Sequence, residues 1–365
     1  MLELRGVSKT VDGMDHIRGV SLRLESGSLN VLLGPTLSGK TTLMRLMAGL
    51  DTPTAGQVLV NGQDMTGVSV RKRDVAMVYQ QFINYPALTV YENIASPLRV
   101  AGLKRDEIDK QVRKAADLMK LTPYLERTPL NLSGGQQQRT AIARALVKGA
   151  HLVLMDEPLA NLDYKLREEL RDELPKIFSE SGAVFVYATT EPTEALLLGG
   201  RTATLHEGRV SQFGDTIDVY RNPQDIVTAQ TFSDPPLNLL GLTKSGGEFR
   251  TSNGTVIPAS EEEKRLPDGH YKVGFRPHHL YLQRPSEDAV CLPAVVDVSE
   301  ITGSESFIHL TCLNHRWVAL EHGIHNVDVD ANIDVYVDAK NFMIFDDDGR
   351  SVASLMNASH MAETA

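Results

Sequence analysis

The sequence predicts a doubly wound α/β domain that carries a helical subdomain and is followed by a small β-barrel domain. In residues 1–235, short apolar runs of strand type alternate with helical patterns, which is typical of a layered α/β core. The strand pattern gives way to helices over about 82–150. Over 236–350, short strand-like runs are separated by Gly-containing turns, as in barrels of oligonucleotide/oligosaccharide-binding type. Residues 351–365 show no pattern, and we expect a disordered tail there.

The composition limits the class of protein. With 365 residues, of which 42% are hydrophobic, the chain is long enough to bury the cores of two domains. The net charge is −10 and there are two cysteines, so we expect no nucleic-acid partner and a reducing compartment. No apolar run approaches the roughly 20 residues that a membrane-spanning helix needs. We therefore expect a soluble protein that reaches a membrane only through a partner.

Antiparallel strands are predicted at the start of the chain. Leu2 and Leu4, and later Val20 and Leu22, alternate with polar residues as in half-buried strands. The run 57–60 precedes an Asn-Gly pair, which predicts a strand that ends in a tight turn. These strands are expected to lie near the ligand of the α/β domain.

A phosphate-binding loop (P-loop) is predicted where the apolar run 29–33 leads into a Gly-rich stretch and then into a helical pattern. Glycines let successive backbone N–H groups point into one concavity, and the helix N-terminus adds a positive dipole end. Lys40 would reach the β- and γ-phosphates of a nucleotide, and the Thr41 hydroxyl would ligate Mg²⁺. A plain turn between strand and helix is the alternative for the stretch alone. The predicted ATP- and phosphate-binding residues are Gly34, Pro35, Thr36, Leu37, Ser38, Gly39, Lys40, Thr41 and Thr42.

A glutamine follows the next buried strand. The run 75–79 is apolar throughout, and Gln80 stands at its carboxyl end. In that position Gln80 could contact Mg²⁺ or an attacking water molecule. A surface loop residue is an equal alternative on this pattern alone.

A second helix with anion-binding features begins after residue 131. Ser133 is a good N-cap, and Gly134 and Gly135 would allow a ligand to approach bare backbone. Capped helices with glycines at their start are common, so an ordinary helix N-terminus is the alternative. Because only one acidic strand end lies downstream, we expect this second site to complete a nucleotide site on another subunit.

Paired carboxylates mark the end of a further buried strand. The run 151–155 leads directly into Asp156 and Glu157. A carboxylate beside a phosphate-binding loop is well placed to hold Mg²⁺, and the adjacent Glu157 could polarise the attacking water. The alternative is that both carboxylates are ordinary solvated loop residues. The P-loop upstream makes this alternative less favoured.

Five segments stand in a fixed order: the P-loop, 78–80, 132–139, 152–157 and 160–163. Together they resemble the ATP-binding cassette (ABC) ATPases over roughly residues 1–235. Further on, 234–239 and 273–278 look like the linker and the accessory β-domain, of TOBE type, that sugar-importer ATPases carry.

The resemblance implies a head-to-tail dimer that holds two ATP molecules between its subunits, each on Lys40 of one chain. The other chain would close the site with its signature segment, which here is Leu132, Ser133, Gly134, Gly135 and Gln136. It further implies catalytic roles for Glu157, Gln80 and Thr190, Mg²⁺ ligation by Thr41, Gln80 and Asp156, and a dimer loop with Asn161 and Asp163. The implied partners are a second ATPase subunit, two transmembrane permease subunits and a periplasmic or surface solute-binding protein. The implied location is the cytoplasmic face of the cell membrane.

Three residues depart from the family pattern. Thr190 stands where the family usually has a switch His, and its neutral hydroxyl predicts slow hydrolysis at the chain's own P-loop. Val11 occupies the position where an aromatic ring commonly stacks on adenine, so base discrimination is expected to be relaxed or supplied elsewhere. His16 is a possible substitute, although a plain surface His is favoured. Leu37 stands where Gly is frequent, so it must adopt an ordinary φ or be strained, and we expect nucleotide binding to survive.

The combination of 35–38 with 187–192 looks like the ATPase subunits of bacterial glycerol importers, in which two different ATPase chains pair. The resemblance implies import of glycerol or a related polyol or sugar by a heterodimer. A mainly regulatory ATP-binding subunit, with little hydrolysis at its own site, is the alternative. A soluble cassette ATPase of DNA repair or translation is disfavoured, because coiled-coil insertions and basic arms are lacking.

The second domain carries seven histidines, at 270, 278, 279, 309, 315, 322 and 325. They lack a paired helical spacing and a matching carboxylate, so we expect no metal site among them. Regulation, partner docking and dimer contact are all open as roles of this domain.

Overall fold

The chain folds into two compact units. The computed structural model describes residues 1–81, 83–160 and 162–353. The units are Met1–Ile217 and Asp218–Ala365. The division lies earlier in the chain than the predicted boundary at 235, and the assignment of functions to the two domains stays a prediction.

Strands and helices alternate in the first unit, as predicted. In chain order they are β1 (Leu2–Val11), β2 (Met14–Leu24), β3 (Leu29–Leu33), α1 (Lys40–Ala48), β4 (Ala55–Val60), β5 (Gln63–Asp64), β6 (Val75–Val78), α2 (Val90–Val100), α3 (Arg105–Leu118), α4 (Gly134–Val147), β7 (Leu152–Asp156), α5 (Tyr164–Ser181), β8 (Val184–Thr189), α6 (Pro192–Leu198), β9 (Arg201–His206) and β10 (Arg209–Asp215). Helix α7 (Thr216–Arg221) spans the division between the units.

Two sheets contribute to the core of the first unit. One has the order β2-β1-β4-β5 and is antiparallel, which confirms the strands predicted at the start of the chain. The other has the order β10-β9-β3-β8-β7-β6, in which β10 is an antiparallel edge strand and the rest run parallel. Helix α1 contacts β2 of the first sheet and β6, β7 and β8 of the second. Its buried side chains Leu43, Leu46 and Met47 therefore join both sheets into one core.

The parallel strands explain where a ligand site can form. Strands β7 and β8 are buried along their whole length, as expected for central parallel strands with both faces covered. Because β3, β8, β7 and β6 are neighbours and run parallel, their carboxyl ends meet at one edge of the sheet. The residues Gly34, Gln80, Asp156 and Thr190 stand at or directly after these ends.

The helical segment predicted over 82–150 consists of α2, α3 and α4 within the described residues. Helix α2 packs against both other helices. It begins with a capping box, in which the Thr89 side chain accepts from the backbone N–H of Glu92 and the Glu92 carboxylate accepts in return.

Antiparallel strands dominate the second unit after a short helix. The elements are α8 (Ile226–Thr231), β11 (Asn238–Ser245), β12 (Glu248–Arg250), β13 (Val256–Pro258), β14 (Gly269–Phe275), β15 (Leu280–Tyr281), β16 (Val290–Ile301), β17 (Glu305–Cys312), β18 (His315–His322), β19 (Asn332–Val337) and β20 (Met343–Phe345). They form two five-stranded sheets, β13-β12-β11-β14-β20 and β15-β19-β16-β17-β18. Both sheets share one apolar core, in which the Trp317 ring packs edge-on against Phe275 at 5.0 Å between centroids.

The second unit differs from the sequence prediction in two respects. The sequence prediction assigned 234–239 to a linker, whereas β11 begins within this segment at Asn238. The predicted disordered tail begins too early, because Ser351 pairs with Phe345 and its N–H donates to the carbonyl of Gln224 at 2.8 Å. Residues 354–365 of that tail lie outside the described residues.

We expect Leu46→Ala to destabilise the first unit by about 2–5 kcal/mol, because a fully buried side chain that packs against both sheets would leave a cavity. Val100→Ala is the matched control, since Val100 is 90% exposed and its truncation should cost less than about 0.5 kcal/mol. Calorimetric unfolding of the two variants measures the difference. Equal transition temperatures would contradict the position of α1 in the core.

Candidate functional site

A cavity of about 720 Å³ opens at the carboxyl edge of the parallel sheet. Three groups of predicted residues line it: the P-loop, the strand-end residues Gln80 and Glu157, and Thr190 after β8. The complete lining is Met14, Asp15, His16, Arg18, Thr36, Leu37, Gly39, Lys40, Thr41, Thr42, Gln80, Glu157, Thr190, Glu207 and Gly208. The fold thus brings together residues that are far apart in the sequence.

The loop between β3 and α1 packs tightly against the backbone behind it. At Gly34, a Cβ atom would lie 2.3 Å from the carbonyl oxygen of Leu205. At Gly39, where φ is 105°, it would lie 2.9 Å from the Ile17 side chain and 3.0 Å from the carbonyl oxygen of His16. Only glycine fits these two positions, so the loop is drawn back and leaves room for a ligand on its open side.

Leu37 adopts a left-handed conformation with φ at 67° and exposes 97% of its surface. The sequence left open whether this residue is ordinary or strained, and the observed φ shows that it is strained. Ser38, next to it, is buried, and its hydroxyl oxygen has no hydrogen-bond partner among the described residues. A polar group without a partner at the base of the loop fits a site that receives a polar ligand.

Lys40 begins α1 and turns its side chain back over the loop. Its Nζ donates to the carbonyl oxygens of Gly34 at 2.7 Å and Pro35 at 3.0 Å. Burial lowers the pKa of Lys40, and the charges of Glu157 and Asp156 oppose this shift. Within the described residues, the hydrogen bonds of this ammonium group go to neutral carbonyls, so a phosphate could replace them as a charged acceptor.

Thr41 and Asp156 join the helix to the neighbouring strand end. The Thr41 hydroxyl donates to Asp156 Oδ2 at 2.7 Å, across 115 positions of sequence. Burial raises the pKa of Asp156, while the bond from Thr41 and the charge of Lys40 favour its ionised form. A hydroxyl and a carboxylate in contact beside an anion site are oxygen donors of the type that a hard cation takes.

Gln80 and Glu157 form a second pair at the same edge. Gln80 Nε2 donates to Glu157 Oε2 at 2.9 Å. Gln80 is exposed after β6, and its contact with Mg²⁺ or water stays a prediction. Glu157 has φ at 46°, a conformation that is uncommon outside glycine. Its backbone N–H donates to the carbonyl of Ala188 at 3.0 Å, which holds the strained residue against β8.

Comparison with known proteins identifies the family. A family model described as "ABC transporter" matches residues 17–160. The trehalose/maltose import ATP-binding protein MalK of Thermococcus litoralis is 37% identical, over 94% of this chain and 97% of its own. The sn-glycerol-3-phosphate import ATP-binding protein UgpC 3 of Rhizobium etli is 36% identical, over 83% of this chain and 84% of its own. This chain is an ABC importer ATPase subunit.

A solved structure supports the same assignment for the first part of the chain. The ATP-binding cassette MJ0796, in a dimeric post-hydrolysis state bound to ADP and Pi, is 30% identical with a TM-score of 0.55. The match covers 59% of this chain and 99% of that one. The predicted activity is therefore confirmed: the subunit binds ATP, and its ATPase activity is coupled to solute import in an assembly with a second ATPase subunit and membrane permease partners. No helix in the described part of the chain is long and apolar enough to cross a membrane.

The signature segment of this ABC subunit lies outside the cavity lining. Ser133 caps α4: its hydroxyl accepts from the N–H of Gln136, and the Gln136 side chain accepts from the N–H of Ser133. This confirms the predicted N-cap. Leu132 is buried, whereas Ser133 and Gly134 are exposed. The segment is therefore open to a ligand from outside its own chain.

Asp163 of the predicted dimer loop and Val11, the predicted adenine position, do not line the cavity. Asp163 is exposed just before α5, and its carbonyl accepts from the N–H of Arg167. Asn161 lies outside the described residues. Val11 is half-exposed and does not line the cavity, whereas His16, which the sequence weighed as its substitute, does.

Several lining residues were missed by sequence reasoning. Met14, Asp15 and Arg18 come from β2, and Glu207 and Gly208 come from the turn between β9 and β10. The only sequence signal for the turn is the Glu-Gly pair itself, since Gly favours a tight turn. The N–H of Arg18 donates to the carbonyl of Gly208 at 2.8 Å, which joins β2 to the β9–β10 turn.

We expect Leu37→Gly to be more stable than Leu37→Ala by about 1 kcal/mol. Both changes remove an exposed side chain, but only glycine relieves the left-handed strain, and its higher entropy in the unfolded chain offsets part of the gain. Chemical denaturation in parallel measures the difference, and a more stable alanine variant would contradict the observed φ. ATP affinity should survive in both variants.

Proposed function

We propose that this ABC subunit binds Mg²⁺ and ATP on its own P-loop and closes on a partner ATPase subunit to drive solute import. The Thr41–Asp156 hydrogen bond carries the proposal, because it joins the helix after the loop to the strand that supplies the acid. Lys40 supplies positive charge for the β- and γ-phosphates. The proposed phosphate-binding residues are Gly34, Pro35, Thr36, Leu37, Ser38, Gly39, Lys40, Thr41 and Thr42.

Thr41, Asp156 and Gln80 are the proposed Mg²⁺ ligands. Gln80 donates its amide N–H to Glu157, which leaves its amide oxygen as the ligating atom. Bound Mg²⁺ would neutralise the phosphate charge that builds up during phosphoryl transfer. The cation would also favour the ionised form of Asp156, which burial disfavours.

Glu157 is the proposed general base. Its carboxylate lies beside Gln80 on the cavity wall, where it can accept a hydrogen bond from the attacking water. Thr190, which directly follows β8 at the same edge of the sheet, is proposed to contact the γ-phosphate with its hydroxyl. A neutral, shorter side chain stabilises developing charge less than a His would, so we expect slow hydrolysis at this site.

The second ATPase subunit is proposed to be a different chain. In a homodimer, both sites would carry Thr190. In a heterodimer only one would, while the exposed Ser133 and Gly134 could complete a competent site on the partner's P-loop. The alternative of a mainly regulatory ATP-binding subunit is less favoured, because Glu157, Gln80 and Asp156 are all present in contact with one another or with the loop.

The transported solute is proposed to be glycerol or a related polyol or sugar. Relatives are named for trehalose/maltose and for sn-glycerol-3-phosphate, which share a polyhydroxylated carbon chain. A solute-binding protein would deliver it to the permease, and the ATPase would lie at the cytoplasmic face of the membrane. The two sheets of the second unit are proposed to be an OB-like domain of TOBE type with a regulatory role.

We expect Asp156→Asn to abolish most of the thermal stabilisation that Mg²⁺ and ATP give the protein. Without nucleotide the variant should keep its stability, because asparagine can still accept from Thr41 and removes a carboxylate that burial disfavours. At a ligand concentration of about 100 times Kd, the wild-type protein should gain about 2.7 kcal/mol. Equal gains in both proteins would contradict the assigned metal ligand. Asp117→Asn, at an exposed position of α3 that does not line the cavity, is the control.

Thr190→His should raise ATP turnover of the assembled importer by about tenfold, since a His can both reach the γ-phosphate and donate a proton. Steady-state phosphate release at saturating ATP measures it. Glu157→Gln distinguishes a hydrolysing subunit from a mainly regulatory one. Turnover should fall sharply if this chain hydrolyses ATP. If turnover is indifferent to both changes, the regulatory alternative replaces the proposal.

A further inference from the structure

A buried carboxylate lies under the turn that carries Thr190. Glu194, on α6, is only 4% exposed, although an ionisable side chain at such a depth needs compensating partners. It accepts two hydrogen bonds, from the Thr189 hydroxyl at 2.7 Å and from the Tyr187 hydroxyl at 3.1 Å. Both donors belong to β8, the strand that ends one residue before Thr190.

The Thr189 hydroxyl fixes the backbone on both sides of Thr190. A hydroxyl has one proton, and Thr189 gives it to Glu194, so its lone pairs remain for the backbone N–H of Glu191 at 3.0 Å. Thr190 is therefore the middle residue of a small turn that a side-chain oxygen closes. The acceptor carboxylate decides the orientation of that hydroxyl.

The same turn touches the rest of the catalytic edge through its backbone. The carbonyl of Ala188 accepts from the N–H of Glu157 at 3.0 Å, and the carbonyl of Thr189 accepts from the N–H of Gly34 at 3.4 Å. A shift of Thr189 would therefore move Thr190 relative to both the P-loop and Glu157.

Among the described residues, one further side-chain contact holds this turn. Arg167 donates to the Glu191 carboxylate at 3.3 Å and to the carbonyl of Ala160 at 3.3 Å. The Glu191 side chain is 45% exposed, so solvent screens this ion pair and its contribution is small. The buried bonds to Glu194 are made away from water and are the stronger constraint.

We propose that Glu194 is a positioning residue that holds Thr190 at the nucleotide site through the Thr189 hydroxyl. The proposal rests on the proposed role of Thr190 at the γ-phosphate. Glu194 itself touches none of the reacting atoms, and it acts by keeping the turn in one conformation when the site is filled and emptied.

Two matched substitutions separate positioning from stability. Thr189→Val keeps the branched shape but removes the hydroxyl that closes the turn, whereas Tyr187→Phe removes the other bond to the same carboxylate and leaves the turn intact. Glu194→Gln keeps an acceptor oxygen of the same reach and should behave like the wild-type protein. Glu194→Ala should behave like Thr189→Val.

The first measurement reports position and does not depend on activity. A spin label is attached through Thr190→Cys, in the full-length chain with both natural cysteines, Cys291 and Cys312, replaced by serine. Thr189→Val and Glu194→Ala should increase the mobility of the label, while Tyr187→Phe and Glu194→Gln should leave it unchanged. Unchanged mobility in all four variants, or an equal increase in Tyr187→Phe, would overturn the proposal.

The second measurement separates this proposal from the proposed function. In the assembled importer, the gain in turnover from Thr190→His should disappear when Thr189→Val is added and persist when Tyr187→Phe is added, with ATP affinity unchanged. If Thr190→His gives no gain while the label mobility still responds to Thr189→Val, the γ-phosphate role fails and the positioning of the turn stands. A gain that survives Thr189→Val overturns the positioning proposal alone.

Discussion

The hydrogen bond between Thr41 and Asp156 is the interaction on which the nucleotide site depends. It joins the first turn of α1 to the end of β7, two elements that only the sheet order brings together. Because β8 lies between β3 and β7, its end supplies a third component, Thr190, to the same edge. The topology of the parallel sheet, rather than a single local segment, therefore brings these residues to one edge.

A second constraint is the close approach of backbone to backbone behind the P-loop. The carbonyls of Leu205 and His16 occupy the space that side chains at positions 34 and 39 would need. The loop is thus pressed against β2 and the β9–β10 turn, which also contribute residues to the cavity lining. Strain at Leu37 and Glu157 accompanies this arrangement, and both residues line the cavity, where the surrounding fold can hold an unfavourable φ.

Sequence reasoning predicted those elements whose residue types and hydrophobic pattern lie within one short segment. The apolar runs that became β3, β6 and β7, the P-loop pattern and the acidic pair at Asp156 are each legible in a few consecutive residues. Met14, Arg18 and Glu207 were missed because only tertiary packing brings β2 and the β9–β10 turn to the cavity. The start of β11 was missed because the sequence assigned 234–239 to a linker, and only tertiary structure pairs Asn238 with Phe275 of β14. The site roles and the trans closure stay predictions.

The cap of α4 limits which residues can replace Ser133 in the signature segment. Ser133 uses one lone pair of its hydroxyl to accept from Gln136, so the proton of that hydroxyl is uncommitted and the group is exposed. The Ser133 hydroxyl therefore caps the N-terminus of α4 and can still donate a hydrogen bond to a group outside the helix. An aspartate would preserve the helix start but present only negative charge, and an alanine would forfeit both. The helix N-terminus and the proposed anion recognition therefore depend on the same side chain.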